Sequence, residues 1–343
     1  MVADLISGKP NFKGRFAAWV RSHQEALART LVIVLCLGAV AIPYLIRIDK
    51  DTQEIHASRP EARGWDPDVI RIEPGQRVRL RLTSEDVVHG FGIGQVDIEP
   101  VDILPGQWTE LTLSFDKPGV YTYYCTRWCG VNHWRMRGTL EVGRPTTKPG
   151  PDDEPLYLKL GLDLDTPHLS PVVPLTKPVA EIGDRLLVKQ PFDEQRLSTN
   201  YYREHSPFQA YQDLEANDLT DAQRWAVVAS IWKSNSSPAG LSEGNQLFDR
   251  NCSACHGPAG GGDGVFADDL VAQGSDEIPD QHGFKKPADL SDPAAMLGAS
   301  PALIQGKILR GGMGTGMPMW GVIFTDDQIW NLVAYLYSFQ FKY

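Results

Sequence analysis

The sequence predicts a multidomain chain: a single N-terminal transmembrane helix, an all-β sandwich and an all-α C-terminal domain. Three observations carry this. An uncharged apolar run lies near the start, short alternating stretches with turn residues follow it, and helix-type segments surround a closely spaced thiol pair near the end. A length of 343 residues suits two or three domains. Lys and Arg number 33 against 43 Asp and Glu, a net charge of −10, which argues against a nucleic-acid partner. Gly 32 and Pro 25 supply many turns and linkers without low complexity. Five Cys are too few for a disulfide scaffold, so their placement decides their meaning.

Residues 1–29 carry Lys9, Lys13, Arg15, Arg21 and Arg29 against Asp4 and Glu25, and residues 30–48 read as the transmembrane helix. Thr30 to Ile46 is 17 residues without a charge. At ~1.5 Å per residue it reaches ~26 Å, the short end of a span. Arg29 and Arg47 flank it and can snorkel to the two interfaces. The basic excess puts the N-terminus in the cytoplasm and everything after Arg47 on the periplasmic side of a bacterial-type cytoplasmic membrane. A cleaved signal peptide would have a shorter charged leader and an A-x-A site. Cys36, inside the run, reads as a small apolar residue. No second stretch is long enough to span, so this chain cannot build a multi-helix catalytic membrane core.

Residues 51–143 read as β. Val69–Ile72 alternates into the Pro74-Gly75 turn, and Val78–Leu82 and Trp108–Phe115 alternate again. Pro118-Gly119 turns, Val120–Tyr124 is β-branched and aromatic, and Gly138–Val142 closes the set. After Tyr124 comes Cys125-Thr126-Arg127-Trp128-Cys129-Gly130-Val131-Asn132-His133-Trp134-Arg135-Met136, with His89 upstream, after a strand. A one-copper site wants one Cys, two His and a weak axial Met. Two thiolates in one loop can instead bridge two copper ions, with His89 and His133 each capping one and Met136 a weak axial ligand. An exported disulfide is permitted outside the cytoplasm, but it leaves His89, His133 and Met136 without a reason, and Met is a poor zinc ligand.

The run Cys-x3-Cys-Gly-x-x-His-x-x-Met with an upstream His resembles the CuA loop of cupredoxin domains, found in subunit II of haem-copper oxidases and in nitrous oxide reductases. The resemblance implies a dinuclear copper centre on His89, Cys125, Cys129, His133 and Met136, with the carbonyl of Arg127 as a further ligand. In most oxygen-reducing members of that family the resemblance leads to Glu two residues after the first Cys, meeting a metal at the subunit interface; Arg127 stands there. The aromatic segment before the His is thin, with Trp65 the nearest residue of that kind. Divergent oxidases with a one-helix subunit II, and nitric oxide reductases that use CuA, fit these departures better.

Residues 144–239 read as a linker and a degenerate cytochrome c-like region. Arg144 to Pro155 is rich in Pro, Gly, Thr and acid. Residues 156–218 have no clear period, and Pro167, Pro171, Pro174 and Pro178 favour extended loops. Leu219–Trp232 then echoes Phe324–Tyr337, with six of 14 positions identical, and both read as capped amphipathic helices. The first copy either closes a helical unit that has lost its Cys pair or is a chance match between two ordinary helices.

Residues 240–343 form the last domain. Cys252-Ser253-Ala254-Cys255-His256 is the C-x-x-C-H pattern of covalent haem c attachment. It follows a helix-like Ser242–Arg250 and precedes the Gly-rich run 257–264. The whole resembles a small class I cytochrome c, which implies one covalent haem c on Cys252, Cys255 and His256, with the distal ligand in Met-Pro, hence Met317. Met319 is the reserve and Met313 a poorer third. His/Met ligation leaves no open site and means electron transfer.

Together these features imply the electron-input subunit of a membrane haem-copper terminal oxidase. A soluble donor such as a cytochrome c would pass electrons to haem c, then to CuA, then to a multi-helix catalytic subunit I. The alternatives are the equivalent subunit of a nitric oxide reductase and a free-standing membrane-tethered shuttle. A self-contained nitrous oxide reductase would need a His-rich copper cluster, and only eight His exist. From Gly240 on there are 12 acids and 6 bases, a charge suited to a basic donor.

Overall fold

The structure is a computed structural model and describes residues 19, 22–50, 52–130, 133–143, 154–189, 193–215, 218–270, 286–312 and 316–343. Lys9, Lys13, Arg15 and Arg21, most of the 144–155 linker, and Met313 lie outside the described residues. Helix α1 (Gln24–Lys50) runs 27 residues through the uncharged stretch. Its Leu31, Val32, Ile33, Val34, Leu35 and Leu37 are each at least 57% exposed. Among the fully described residues no helix is long and apolar enough to cross a membrane; the end of the uncharged run lies outside them.

Nine strands follow: β1 (Thr52–Ala57), β2 (Trp65–Asp66), β3 (Val69–Ile72), β4 (Arg77–Ser84), β5 (His89–Ile93), β6 (Val101–Ile103), β7 (Thr109–Ser114), β8 (Gly119–Tyr124) and β9 (Arg137–Val142). They form two sheets, in the orders β2-β1-β4-β7 and β3-β9-β8-β5-β6. The alternation read from the sequence is the reason for the faces: in β4, Val78, Leu80 and Leu82 are buried while Arg77 and Arg79 face water. Between the sheets lie Ile55, Ile70, Leu80, Leu82, Phe91, Ile103, Tyr123 and Leu140. Each aliphatic side chain so buried contributes about 1.5–3 kcal/mol before entropy is counted. Trp65, Phe91 and Tyr123 meet with ring centres 5.5–5.7 Å apart.

The rest is helical: α2 (Leu156–Lys159), α3 (Ala180–Lys189), α4 (Thr199–Glu204), α5 (Pro207–Gln212), α6 (Asp221–Ser234), α7 (Pro238–Asn251), α8 (Ser253–His256), α9 (Pro293–Gly298), α10 (Pro301–Arg310) and α11 (Asp326–Tyr337). The Pro-rich stretch between α2 and α3 has no regular structure, as its prolines require. The absence of a clear period in 156–218 did not mean an absence of helix: α2 to α5 are short, and α4 and α5 are started by Ser198 and Ser206 caps, the second a full capping box with Pro207 at the first helical position. These helices and the C-terminal domain share one core, in which Tyr202, Tyr211, Trp225 and Trp232 join Phe248, Leu332, Tyr337 and Phe341.

The sequence echo has a geometric counterpart. Both α6 and α11 begin with a Thr/Gln capping box, at Thr220/Gln223 and Thr325/Gln328. Each is crossed by another helix at a glycine. A Cβ on Gly183 of α3 would lie 2.0 Å from the Ala226 carbonyl oxygen and 2.8 Å from Ser230 Cβ. A Cβ on Gly244 of α7 would lie 2.3 Å from the Asn331 carbonyl oxygen and 2.7 Å from Tyr335 Cβ. Counted from the capping threonine, Ala226 matches Asn331 and Ser230 matches Tyr335, so the two crossings share one register.

Candidate metal centre and haem-attachment site

Strand pairing brings the first site together. β5 runs antiparallel to β8 with Gly92 opposite Tyr124, so the chain leaving β8 turns back past Gly90 and His89. The Thr126 N–H donates to the Gly90 carbonyl at 3.3 Å. Thr126 Oγ1 would lie 2.1 Å from a Cβ at Gly90, so only glycine lets the loop come this close. A single 3₁₀ turn, His133–Arg135, then returns His133 and Met136 to the same spot before β9.

Every side chain expected here arrives. His89, Cys125, Cys129, His133 and Met136 are all buried. The two Sγ atoms are 3.9 Å apart. Cys125 Sγ faces His89 Nδ1 at 3.7 Å and Cys129 Sγ faces His133 Nδ1 at 3.7 Å, one imidazole per sulfur. Met136 Sδ lies 3.9 Å from Cys129 Sγ, and the Arg127 carbonyl lies 3.2 Å from Cys125 Sγ. The ligand atoms of His89, Cys125 and Cys129 fall within 4.8 Å of one another. Cys125 is free rather than bridged to Cys129. Its thiol is pulled well below the usual range by the neighbouring Cys129 and, against burial, by His133 and His89. Such a soft donor set, with both sulfurs shareable and no carboxylate ligand, fits copper.

Other residues hold this set in place, and the sequence reading did not single all of them out. Asp86 Oδ1 accepts from His89 Nε2 at 2.8 Å, which fixes the tautomer that leaves Nδ1 toward Cys125. Burial works against the Asp86 charge, but the Arg59 N–H, His89 and the Val87 N–H outweigh it and hold the carboxyl at about 2. Burial lowers His89, while Cys125 and Asp86 raise it more. Trp65 Nε1 donates to the Met136 carbonyl at 3.1 Å. Arg127 does not face the sulfurs with its side chain: Nε and Nη2 fork onto Asp102 at 2.8 and 2.9 Å on the surface. Neither Asp86 nor Asp102 was singled out in the sequence; an acid three residues before His89 is the signal that could have found Asp86, and nothing in the sequence marks Asp102.

In the second site Cys252 caps the single turn α8, which carries Cys255 and His256. The glycine-rich loop folds back on this turn: Gly262 N donates to the His256 carbonyl at 2.8 Å, Gly264 N to Cys255 at 3.1 Å and Phe266 N to Ala254 at 2.9 Å. His256 Nδ1 bonds the Ala288 carbonyl at 3.0 Å, leaving Nε2 for a ligand. Burial pushes the Cys252 thiol to about 12 and the Cys255 thiol to about 11. The two thiols and His256 lie on one short turn, the spacing that covalent haem attachment needs. Met317 packs on the helical core, while Met319 is 49% exposed.

Residues 52–142 match the family model of the cytochrome c oxidase subunit II periplasmic domain, and residues 241–340 match that of cytochrome c. Two cytochrome c oxidase subunits 2 of Thermus thermophilus are 36% identical over 81 residues, 24% of this chain. The chain covers 59% and 48% of their lengths. A nitrous-oxide reductase of Ralstonia nicotianae is 37% identical over 77 residues, 21% of this chain and 12% of that protein. A solved chain from a heme-copper terminal oxidase dimer is 24% identical and 99% covered, spans 35% of this chain, and has a TM-score of 0.24. Residues 52–142 are thus similar to the subunit II periplasmic domains of cytochrome c oxidase, and residues 241–340 to the cytochromes c.

Proposed function

We propose that this chain is the electron-input subunit of a membrane haem-copper terminal oxidase, with a dinuclear copper centre on His89, Cys125, Arg127 (carbonyl), Cys129, His133 and Met136 and one haem c on Cys252, Cys255, His256 and Met317. The observation that carries the reading is the pair of sulfurs 3.9 Å apart, each with its own imidazole at 3.7 Å. Bound there, copper and haem each supply one-electron transfer with little change in geometry. The chain's part is to hold the donors rigid: the Cys125 and Cys129 sulfurs would hold the copper, Asp86 and burial fix the His89 and His133 rings beside them, and Met317 rather than the exposed Met319 would be the second haem ligand. Electrons would come from a soluble cytochrome c and leave toward a separate multi-helix subunit I. The exposed apolar face of α1 supports a single-pass anchor, because Leu31 to Leu37 need an apolar surrounding that nothing described in this chain provides. With residues 1–29 cytoplasmic, both sites lie on the periplasmic side.

A second reading, the equivalent subunit of a nitric oxide reductase, is favoured by one observation: Arg127 and its bond to Asp102 put an ion pair where the mainstream oxidases lead one to look for a metal-binding Glu. Native membranes decide. The intact complex is purified and supplied with a reduced donor, and O2 and NO consumption are followed separately, with copper and haem counted per chain. Fast O2 uptake with two coppers and one haem supports the oxidase. Fast NO reduction with weak O2 uptake supports the second reading. Neither activity, and no large subunit co-purifying, leaves a tethered shuttle. Residues 156–234 we read as a second cytochrome c-like helical unit, on the shared register of the two glycine crossings; lacking cysteines, it attaches no haem.

A further inference from the structure

The two sites are not independent beads on a chain. Arg137 directly follows Met136, and its Nη1 donates to the Met319 carbonyl at 2.7 Å. Its guanidinium lies 5.5 Å from the centre of the Trp320 ring. Met319 is two residues past Met317. Tyr124, directly before Cys125, packs on the helical core. Trp128, directly before Cys129, has its ring 4.6 Å from that of His133 and 5.5 Å from that of Phe266. Phe266 in turn bonds Ala254, inside the Cys252–Cys255 turn. On the flank, Gln95 N donates to the Ile323 carbonyl at 2.8 Å and Gln95 Nε2 to that of Gly321 at 2.7 Å. Gly94 comes so near that a Cβ would sit 2.6 Å from Ile323 Cα.

We propose that these contacts dock the two sites as one body and that Arg137 is the positioning residue that fixes the Met317 loop against the thiolate loop. The inference rests on the copper and haem reading above. Three residues adjacent to copper-site ligands cross to the helical part: Arg137 to the Met317 segment, Trp128 to Phe266 and Tyr124 to the shared core. Of the three, the aromatic ones, Tyr124 and Trp128, make packing contacts that tolerate sliding. The Arg137 bond is directional and charge-assisted, so it sets the register. Its other terminal nitrogen, Nη2, is buried without a partner among the described residues. A short, fixed contact matters for the reading above: one electron leaves one centre and arrives at the other with no bond made or broken, so separation and orientation alone set its rate.

The test uses the full chain with copper and haem loaded. Arg137→Ala and Arg137→Lys are compared with Gln95→Gly, which removes the flank's side-chain bond at a residue whose φ of 62° suits glycine. Amide hydrogen exchange is read over residues 92–98 and 317–324, and the electron equilibration rate between the centres is read after flash reduction. Loss of one charge-assisted bond shifts the docked-to-undocked ratio by about tenfold to a hundredfold, and interface amides should exchange faster accordingly. Arg137→Ala should slow equilibration with the copper EPR and haem spectra unchanged, and Lys should restore part of it. Gln95→Gly should loosen the same amides. Unchanged exchange and rate in Arg137→Ala, with both centres intact, overturns the proposal. Absence of a two-copper signal or of haem in the parent protein overturns the underlying reading instead.

Discussion

Replacing Asp86 by Ala should loosen copper without unfolding the sandwich. Its Oδ1 takes the His89 Nε2 bond at 2.8 Å and the Val87 N–H at 2.7 Å, and its Oδ2 takes the Arg59 N–H at 2.8 Å. Only the first of these points at the site. A hydrogen bond to a charged group contributes about 1.5–3 kcal/mol, and at 1.4 kcal/mol per decade this is roughly 10- to 150-fold in affinity, in line with the ~10–100-fold measured for partners of metal-bound histidines. Asp86→Asn keeps an acceptor and loses the charge, so it should fall between the two. Competition of the full chain against a copper chelator of known affinity reads the effect. Circular dichroism checks that the Trp65–Phe91–Tyr123 cluster is undisturbed. Retention of copper within twofold of the parent by Asp86→Ala would refute the claim that this carboxylate orients His89.

Other outcomes follow from the same geometry. Met317→Ala should remove the distal haem ligand and change the visible spectrum while haem stays covalently attached, and Met319→Ala should leave the spectrum unchanged. Gly183→Val and Gly244→Val should each destabilise by about 1–3 kcal/mol or more, read by thermal unfolding, because a Cβ at either falls 2.0–2.3 Å from a carbonyl oxygen of the crossing helix. Copper removal should abolish acceptance of electrons at the first site yet leave haem c reducible by the donor. Turnover driven by a basic donor should fall as ionic strength rises, given 12 acids against 6 bases from Gly240 on; a salt-independent rate excludes that role for the acidic surface.

The parts legible in the sequence were those in which chemistry fixes spacing. The proposed ligands from Cys125 to Met136 lie within twelve residues and those from Cys252 to His256 within five, so order along the chain nearly determines geometry. Strands with one wet face, such as β4 and β9, showed their alternation. β5 did not, because all five of its residues, His89–Ile93, are buried and two are glycine. β2 and β6 are only two and three residues long, too short for any period. Asp86, Trp65 and Arg137 act through contacts across 3, 71 and 182 residues of chain, respectively. Only the first of these separations is local enough to be read from a motif. The helices of 156–218 hid because α2, α4 and α5 are only four to six residues long, too short for a helical period to show, and a proline-rich stretch separates α2 from α3.

The shared core has a consequence for how the C-terminal domain can be handled. Trp232 of α6 sits with its ring 5.8 Å from that of Tyr337 and 6.1 Å from that of Phe341, and Tyr202 lies 5.5 Å from Trp232 on the other side. Tyr337 and Phe341 are 0% and 1% exposed, and Trp232 of the middle unit forms part of their cover. A fragment starting at residue 240 would therefore uncover on the order of 200 Å² of aromatic surface, ~5 kcal/mol at 25 cal/mol per Å². That is comparable to the whole stability of a small domain. The fragment 240–343 should bind haem poorly or unfold at a much lower temperature than the fragment 156–343, both produced with haem-attachment machinery and compared by thermal melts at the haem absorbance. Equal melting temperatures would mean that the middle unit rests on the haem domain without holding it. A large gap would give residues 156–234 a physical reason to persist without a haem: they complete the core on which the Met317 loop, and through Arg137 the copper loop, is set.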